Sequence, residues 1–332
     1  MAKAFWVTAP CEGSIASADL RHEQPVSPTA QWARVRTLYT GISRGTESLV
    51  YRGLVPESEY QSMRAPFQEG SFPFPVKYGY ANVGTVVEGS DQLLGREVFS
   101  LFPHQDEFEL PEAALIPLPD GLPAERAVLA ANMETAINGL WDGAPRVGDR
   151  IAIVGLGVVG MLVAWMASRI PGTRVTALDI NPERGLVAER LGVDFATSLE
   201  HDDHDLVIHA SGHPDGLATA LNLCGQEATL IEMSWYGEQA VPAPLGQAFH
   251  SRRLTIRSSQ VGQLHPDQRP RWSHRTRMEL ALNLLQEPVL DHLITGESPF
   301  EQLPKVMHSL AGQSQDSSLP KAEDTLCHRI VY

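Results

Sequence analysis

Cysteine is scarce in this chain: its 332 residues hold three, Cys11, Cys224 and Cys327, far apart and without a CxxC pair. That spacing excludes a disulfide framework or a zinc cluster built from neighbouring residues, and it suits a reducing, cytoplasmic setting. Basic residues are also in deficit, with 26 Lys and Arg against 40 Asp and Glu and a net charge of −14. Such a balance argues against an electrostatic grip on nucleic acid or an anionic membrane, and leaves small-molecule substrates and further copies of the chain as partners. The opening Met1-Ala2-Lys3-Ala4-Phe5-Trp6-Val7 lacks the long apolar core of an export signal and reads as a strand. One uncharged stretch, between Arg150 and Arg169, approaches the roughly 20 residues of a membrane span. Its glycines and β-type start argue for a strand followed by a helix instead. Repeats are missing too, and the 43% hydrophobic and 20% charged content is that of a globular chain.

The length suits two domains. Up to about residue 118 the chain consists of short extended runs broken by Gly and Pro: Ala33–Tyr39, Gly84–Glu88, Glu97–Phe102 and Ala114–Pro117. After Pro119-Asp120-Gly121-Leu122-Pro123 the texture changes, and Ala124 to Trp141 repeats its apolar positions at helical spacing. From Asp149 strands and helices alternate: Arg150–Val154, a helix to Ser168, Arg174–Leu178, a helix to Leu191, Leu206–His209, a helix to Leu223, then Ala228–Met233. That alternation predicts a doubly wound parallel sheet. A strand at Leu254–Ser258, a basic stretch through Arg277, a helix through Leu285 and a strand ending in Cys327–Tyr332 complete the chain, with Gln313–Asp324 a polar surface loop. The expected domains are 1–120 completed by 290–332, and 121–289.

The strongest motif is Ile151-Ala152-Ile153-Val154-Gly155-Leu156-Gly157-Val158-Val159-Gly160, a buried-strand pattern running into G-x-G-x-x-G and an apolar helix. Gly155 permits a tight turn, Gly157 lets backbone approach a pyrophosphate, and Gly160 lets helix and strand pack closely. The helix start at Val158 and Val159 then stabilises an anion with its amides and dipole. Asp179, 19 residues after Gly160 at the end of the next strand, stands where a carboxylate accepts from ribose hydroxyls. It favours NAD(H) over NADP(H), whose 2′-phosphate meets the carboxylate charge, although nearby Arg184 leaves some room for NADP(H). Ala210, Ser211 and Gly212 close a third strand where the nicotinamide half of such a ligand lies, and His209 just before them reads as a satisfied interior histidine.

A β-rich half, this Rossmann unit and a return segment together resemble the medium-chain dehydrogenase/reductase superfamily. The local carriers are Thr40-Gly41-Ile42-Ser43-Arg44-Gly45-Thr46-Glu47, Tyr78-Gly79-Tyr80-Ala81-Asn82-Val83-Gly84, Gly148-Asp149-Arg150 and Asp179-Ile180-Asn181-Pro182-Glu183-Arg184. The resemblance implies a GroES-like catalytic domain beside the Rossmann domain, Arg44 at the pyrophosphate, Thr135 on the nicotinamide face, and a homodimer pairing through Leu254–Ser258. Zinc-binding members carry Cys, His and a further Cys or acid where this chain has Ser43, Tyr80 and Ala131. A four-cysteine lobe near Phe102–Leu110 is missing as well. No metal is therefore expected. The first two segments are similar to the branch containing bacteriochlorophyllide hydroxyethyl dehydrogenase.

Hydride transfer from an alcohol without a metal needs a proton carrier at the oxygen. Tyr80 is the first candidate, with Ser43 as a second donor and Lys77 as a neighbour that lowers the phenol pKa; Glu47 and Glu134 rank below them. Trp235 and Tyr236 stand where a substrate pocket opens, and the cluster Arg269, Arg271, His274, Arg275 and Arg277 is a candidate for anion binding. The expected function is zinc-independent, NAD(H)-dependent oxidation and reduction of an alcohol/carbonyl pair. Its rivals are quinone or enone reduction and non-catalytic nucleotide binding.

Overall fold

The computed structural model describes residues 1–21, 29–199 and 203–332. Its first part is built from β1 (Ala2–Ala9), β2 (Glu12–Ala18), β3 (Trp32–Ile42), α1 (Arg44–Arg52), β4 (Glu69–Gly70), β5 (Val76–Lys77), β6 (Asn82–Glu88), β7 (Glu97–Ser100), β8 (Glu107–Pro111) and β9 (Ile116–Pro117). The apolar residues of β3 alternate, so Ala33 and Val35 are buried with Val86, Val98, Phe102 and Phe108 while their neighbours along the strand face outward. The periodic run from Ala124 divides into α2 (Ala124–Ala127) and α3 (Ala130–Gly143). The turn between them, Val128 and Leu129, is fully buried, which keeps the apolar face continuous across the break.

The parallel unit follows as β10 (Arg150–Val154), α4 (Val158–Ala167), β11 (Arg174–Leu178), α5 (Arg184–Arg190), β12 (Asp194–Ala196), β13 (His204–His209), α6 (Pro214–Leu223), β14 (Cys224–Glu232) and β15 (Thr255–Ser258). Strand order is β12-β11-β10-β13-β14-β15 with every pairing parallel, the doubly wound dinucleotide-binding order. Ile151, Ile153, Val207 and Ile208 are fully buried, each contributing about 1.5–3 kcal/mol, which is why these strands read as continuous apolar runs. The uncharged stretch after Arg150 is thus a core strand and a ten-residue helix. Among the described residues no helix is long and apolar enough to cross a membrane.

After α7 (His274–Leu284) come β16 (Ile294–Pro299), α8 (Leu303–Leu310) and β17 (Cys327–Val331). β17 pairs with β3, so the chain end completes the sheet ordered β16-β17-β3-β6-β7-β9, and β2-β1-β5-β4 form a smaller one. Two compact units result: Met1–Ala131 with Met278–Tyr332, and Asn132–Arg277. Relative to the limits expected from sequence, more of the chain belongs to the first unit. Arg126 shows the cause: its guanidinium bonds the Asp291 carboxylate at 2.7 and 2.8 Å and the carbonyls of Leu285 and Gln286, tying α2 to the segment after α7.

His328 on β17 records a cost of this closure. It is 3% exposed, its Nε2 lies 2.9 Å from Ser298 Oγ, and Nδ1 has no partner. Burial pushes its pKa from 6.5 down to about 4, against the opposing charge of Glu297. The native ring stays neutral while the unfolded one takes up a proton, so stability is lost as pH falls through this window, by at most about 3 kcal/mol at about 1.4 kcal/mol per pH unit. His328→Leu is expected to remove that part of the acid sensitivity. Urea melts of both proteins near neutral pH and near pH 5 check it, and equal pH slopes refute it.

Candidate cofactor and active site

In the second unit the glycine motif forms the turn from β10 into α4. Gly155 has φ +96°, and a side chain there would meet the backbone of Ser211 at 2.4 Å; a side chain on Gly160 would lie 1.9 Å from the Gly155 carbonyl oxygen. Gly157, which caps α4, has ordinary dihedrals and open space where its Cβ would be. Two glycines are therefore demanded by the protein's own packing, whereas the middle one leaves room for something outside it. Val158 and Val159 begin the helix and present amides that have no acceptor within it. Asp179 closes the entrance, accepting from the amides of Leu156 (2.7 Å) and Asn181 (2.9 Å). Ile180 beside it is 94% exposed, an apolar surface the sequence reading passed over, while Arg184 at the start of α5 is 6% exposed. Because Ser211 packs on Gly155, the segment Ala210, Ser211 and Gly212 meets the motif at the carboxyl edge of the sheet.

A polar chain occupies that edge. His209 is fully buried, with Nδ1 2.7 Å from Glu232 Oε2 and Nε2 2.6 Å from Ser211 Oγ. The Tyr236 hydroxyl donates to the same carboxylate at 3.1 Å, and the Ser234 amide donates to its other oxygen at 2.8 Å. Burial raises the Glu232 pKa, but bonding to His209 and Ser234 outweighs it and holds the carboxyl below its ordinary value. His209 is interior, as expected, with a partner at each ring nitrogen. Glu232 went unnoticed in the sequence, where its only signal is an acid ending an apolar strand.

The first unit gathers the other candidates. Ser43 caps α1 and Arg44 begins it, half-buried. The Tyr80 phenol lies close enough to Ser43 and Thr46 for both hydroxyls to oppose a rise in its pKa, so both residues proposed for proton transfer come together. Burial, with the Glu47 charge adding to it, pushes the phenol up to about 12, against those two hydroxyls. It remains protonated near neutral pH and is able to donate a hydrogen bond. Glu47 accepts from the Ser43 amide at 2.7 Å and lies 2.9 Å from His104 Nε2; His104 Nδ1 is 2.7 Å from Thr40 Oγ1, itself 3.2 Å from the Tyr332 hydroxyl. His104, Thr40 and Tyr332 were missed because they are scattered along the chain in no recurrent pattern. Lys77 corrects an expectation: its ammonium is buried on Glu69 (2.5 Å) and Gln105 (2.6 Å), and burial lowers its own pKa.

The donor set does not fit a tetrahedral zinc. Ser43, Tyr80 and the buried Ala131 occupy the three positions, and Glu47 and His104 already engage each other. Among the described residues no group of three His, Cys, Asp or Glu side chains is placed to hold a metal ion. Glu134 is likewise committed, to Arg277, which also bonds Asn138 and the Val261 carbonyl. Arg277 is thus an interior anchor, while Arg269, Arg271, His274 and Arg275 are exposed. Thr135 sits half-buried in α3, and Trp235 and Tyr236 are half-buried beyond β14.

The second unit is a Rossmann-type parallel sheet and the first is β-rich. No family model matches the chain. D-guloside 3-dehydrogenase of Escherichia coli K12 is 25% identical over 304 residues, covering 80% of this chain and 86% of that protein. The 2R,3R-butanediol dehydrogenase of Bacillus subtilis shares the fold with a TM-score of 0.75 at 16% identity, each chain covered in full. The NADH complex of a short chain alcohol dehydrogenase from Escherichia coli CFT073 gives 0.75 at 17% identity, covering 100% of this chain and 99% of that one. The chain shares the two-domain fold of these dehydrogenases, a GroES-like domain and a Rossmann domain, as its motifs implied.

Proposed function

We propose that this protein is a nicotinamide-dependent oxidoreductase that interconverts an alcohol and its carbonyl compound, prefers NAD(H), and works without zinc. The observation that carries the reading is the turn at Gly155–Gly160, tight on its own structure at two glycines and open at Gly157, with Asp179 oriented at its mouth. D-guloside 3-dehydrogenase, similar over most of the chain, acts on an alcohol by its name.

In this reading Val158 and Val159 hold the pyrophosphate through backbone amides, Asp179 accepts from the ribose, and Ile180 offers an apolar face to adenine. The burial of Arg184 supports NAD(H) over NADP(H), because a 2′-phosphate needs an accessible cation. A bound nicotinamide supplies the hydride donor or acceptor. Arg44, Thr135, Ala210, Ser211 and Gly212 are its further contacts by resemblance to the superfamily. Tyr80 donates a proton to the carbonyl oxygen during reduction, and Ser43 beside it shares that oxygen. The Glu47–His104 pair fixes the Ser43 turn from behind. The exposed edge strand β15 supports homodimer pairing, which a monomer value in sedimentation would remove.

The test is a fluorescence titration of metal-stripped protein with NADH and NADPH, with metal analysis of the untreated sample. Tighter binding of NADH without zinc is expected. Absence of binding would overturn the cofactor assignment, and stoichiometric zinc would overturn the metal-free mechanism. Reduced cofactor consumed with enones or quinones but never with ketones would move the reaction to C=C reduction.

A further inference from the structure

Ser211, a nicotinamide contact by resemblance, also heads a chain of side-chain hydrogen bonds through His209 to Glu232 that hydride transfer does not require. We propose that Ser211 is a base-activated nucleophile, and that the carboxyl edge of β13 and β14 is a second reactive site that takes ester and phosphonyl electrophiles. Ser211 lies exposed in the turn between a parallel strand and the helix that follows it, the setting from which a nucleophilic serine projects above a sheet. His209 precedes it by two residues, so strand geometry puts both side chains on one face. Glu232 is the residue in register with His209 on the neighbouring strand.

These placements create the 2.6 Å and 2.7 Å contacts of a serine, a base and an orienting acid. The carboxylate demands a proton on Nδ1, which leaves the Nε2 lone pair for the serine hydroxyl. Tyr236 and Ser234 hold Glu232 in place. Room for the pair is built in: a side chain on Gly216 of α6 would lie 2.2 Å from Ser211 Oγ and 2.6 Å from His209 Nε2. The His213 amide donates to Ser211 Oγ at 3.1 Å and favours negative charge on that oxygen.

Chemically, Ser211 Oγ bonds to the ester carbonyl carbon as its proton passes to His209 Nε2. The bond to the alkoxy group then breaks, and the alcohol leaves with that proton. Water, deprotonated by the same nitrogen, releases the acid and restores the serine. With a fluorophosphonate the phosphorus–fluorine bond breaks and the adduct persists. The proposal does not rest on the cofactor reading, since reactivity is measured on the protein alone.

The experiment is labelling of the intact protein by a fluorophosphonate probe, with peptide mass spectrometry and rates followed across pH. The expected adduct is on Ser211 and absent in Ser211→Ala. Glu232→Gln, isosteric and unable to hold the tautomer, should slow labelling by about a hundredfold and flatten the pH profile, the scale of a positioned general base. Glu232→Asp should restore part of the rate. Native labelling no faster than that of the urea-unfolded chain, an adduct at another residue, or an unchanged rate and profile in Glu232→Gln would each overturn it.

Discussion

Arg277→Met is expected to cost about 3–5 kcal/mol of stability, the largest single loss we foresee. Arg277 is 1% exposed and its guanidinium has three partners: Glu134 Oε1 at 3.0 Å, Asn138 Oδ1 at 2.5 Å and the Val261 carbonyl at 2.5 Å. Removing it leaves Glu134 buried without a counter-charge. Burial already raises the pKa of that carboxyl, and the nearby guanidinium is what opposes the rise. The double variant Arg277→Met, Glu134→Leu should regain most of the loss, because an apolar pair is commonly as stable as the ion pair it replaces. Urea melts of the two variants and wild type decide the matter. A single-variant cost under about 1 kcal/mol would show that the pair does not anchor the segment before α7.

Gly160→Ala and Gly157→Val should separate folding from binding. At Gly160 the added carbon lies 1.9 Å from a backbone oxygen, so α4 must shift, at about 1–3 kcal/mol, and NADH affinity should fall at least about tenfold. At Gly157 nothing stands within 4 Å, and φ is −68°. A valine there should cost no more than about 1 kcal/mol, the scale of a weakened N-cap, while blocking a pyrophosphate at the helix start. Thermal melts and NADH titrations on the same preparations check both. Undiminished NADH binding by Gly157→Val would move the phosphate site away from α4.

Much of the Rossmann unit was legible because its signals are local. The apolar run of β10, the three glycines and Asp179 lie within one short segment, and backbone geometry alone relates them. Lys77 was misjudged because sequence proximity to Tyr80 does not fix direction: successive residues on an extended chain point to opposite sides, and this ammonium turns to Glu69 and Gln105. His104, in the loop between β7 and β8, and Glu232, at the end of β14, carried almost no signal, since a single polar residue in either place looks the same whether it faces solvent or a buried partner.

By itself, then, the sequence determined the two-domain organisation, the parallel sheet and the dinucleotide turn, all of which follow from hydrophobic period and glycine spacing. Only the tertiary structure decided which polar groups share an interior. The partners Glu47 and His104 lie 57 residues apart, His209 and Glu232 lie 23, and Glu134 and Arg277 lie 143. Such pairings arise from strand register and chain closure, where burial makes an unpartnered charge too costly to keep, and no local pattern records them.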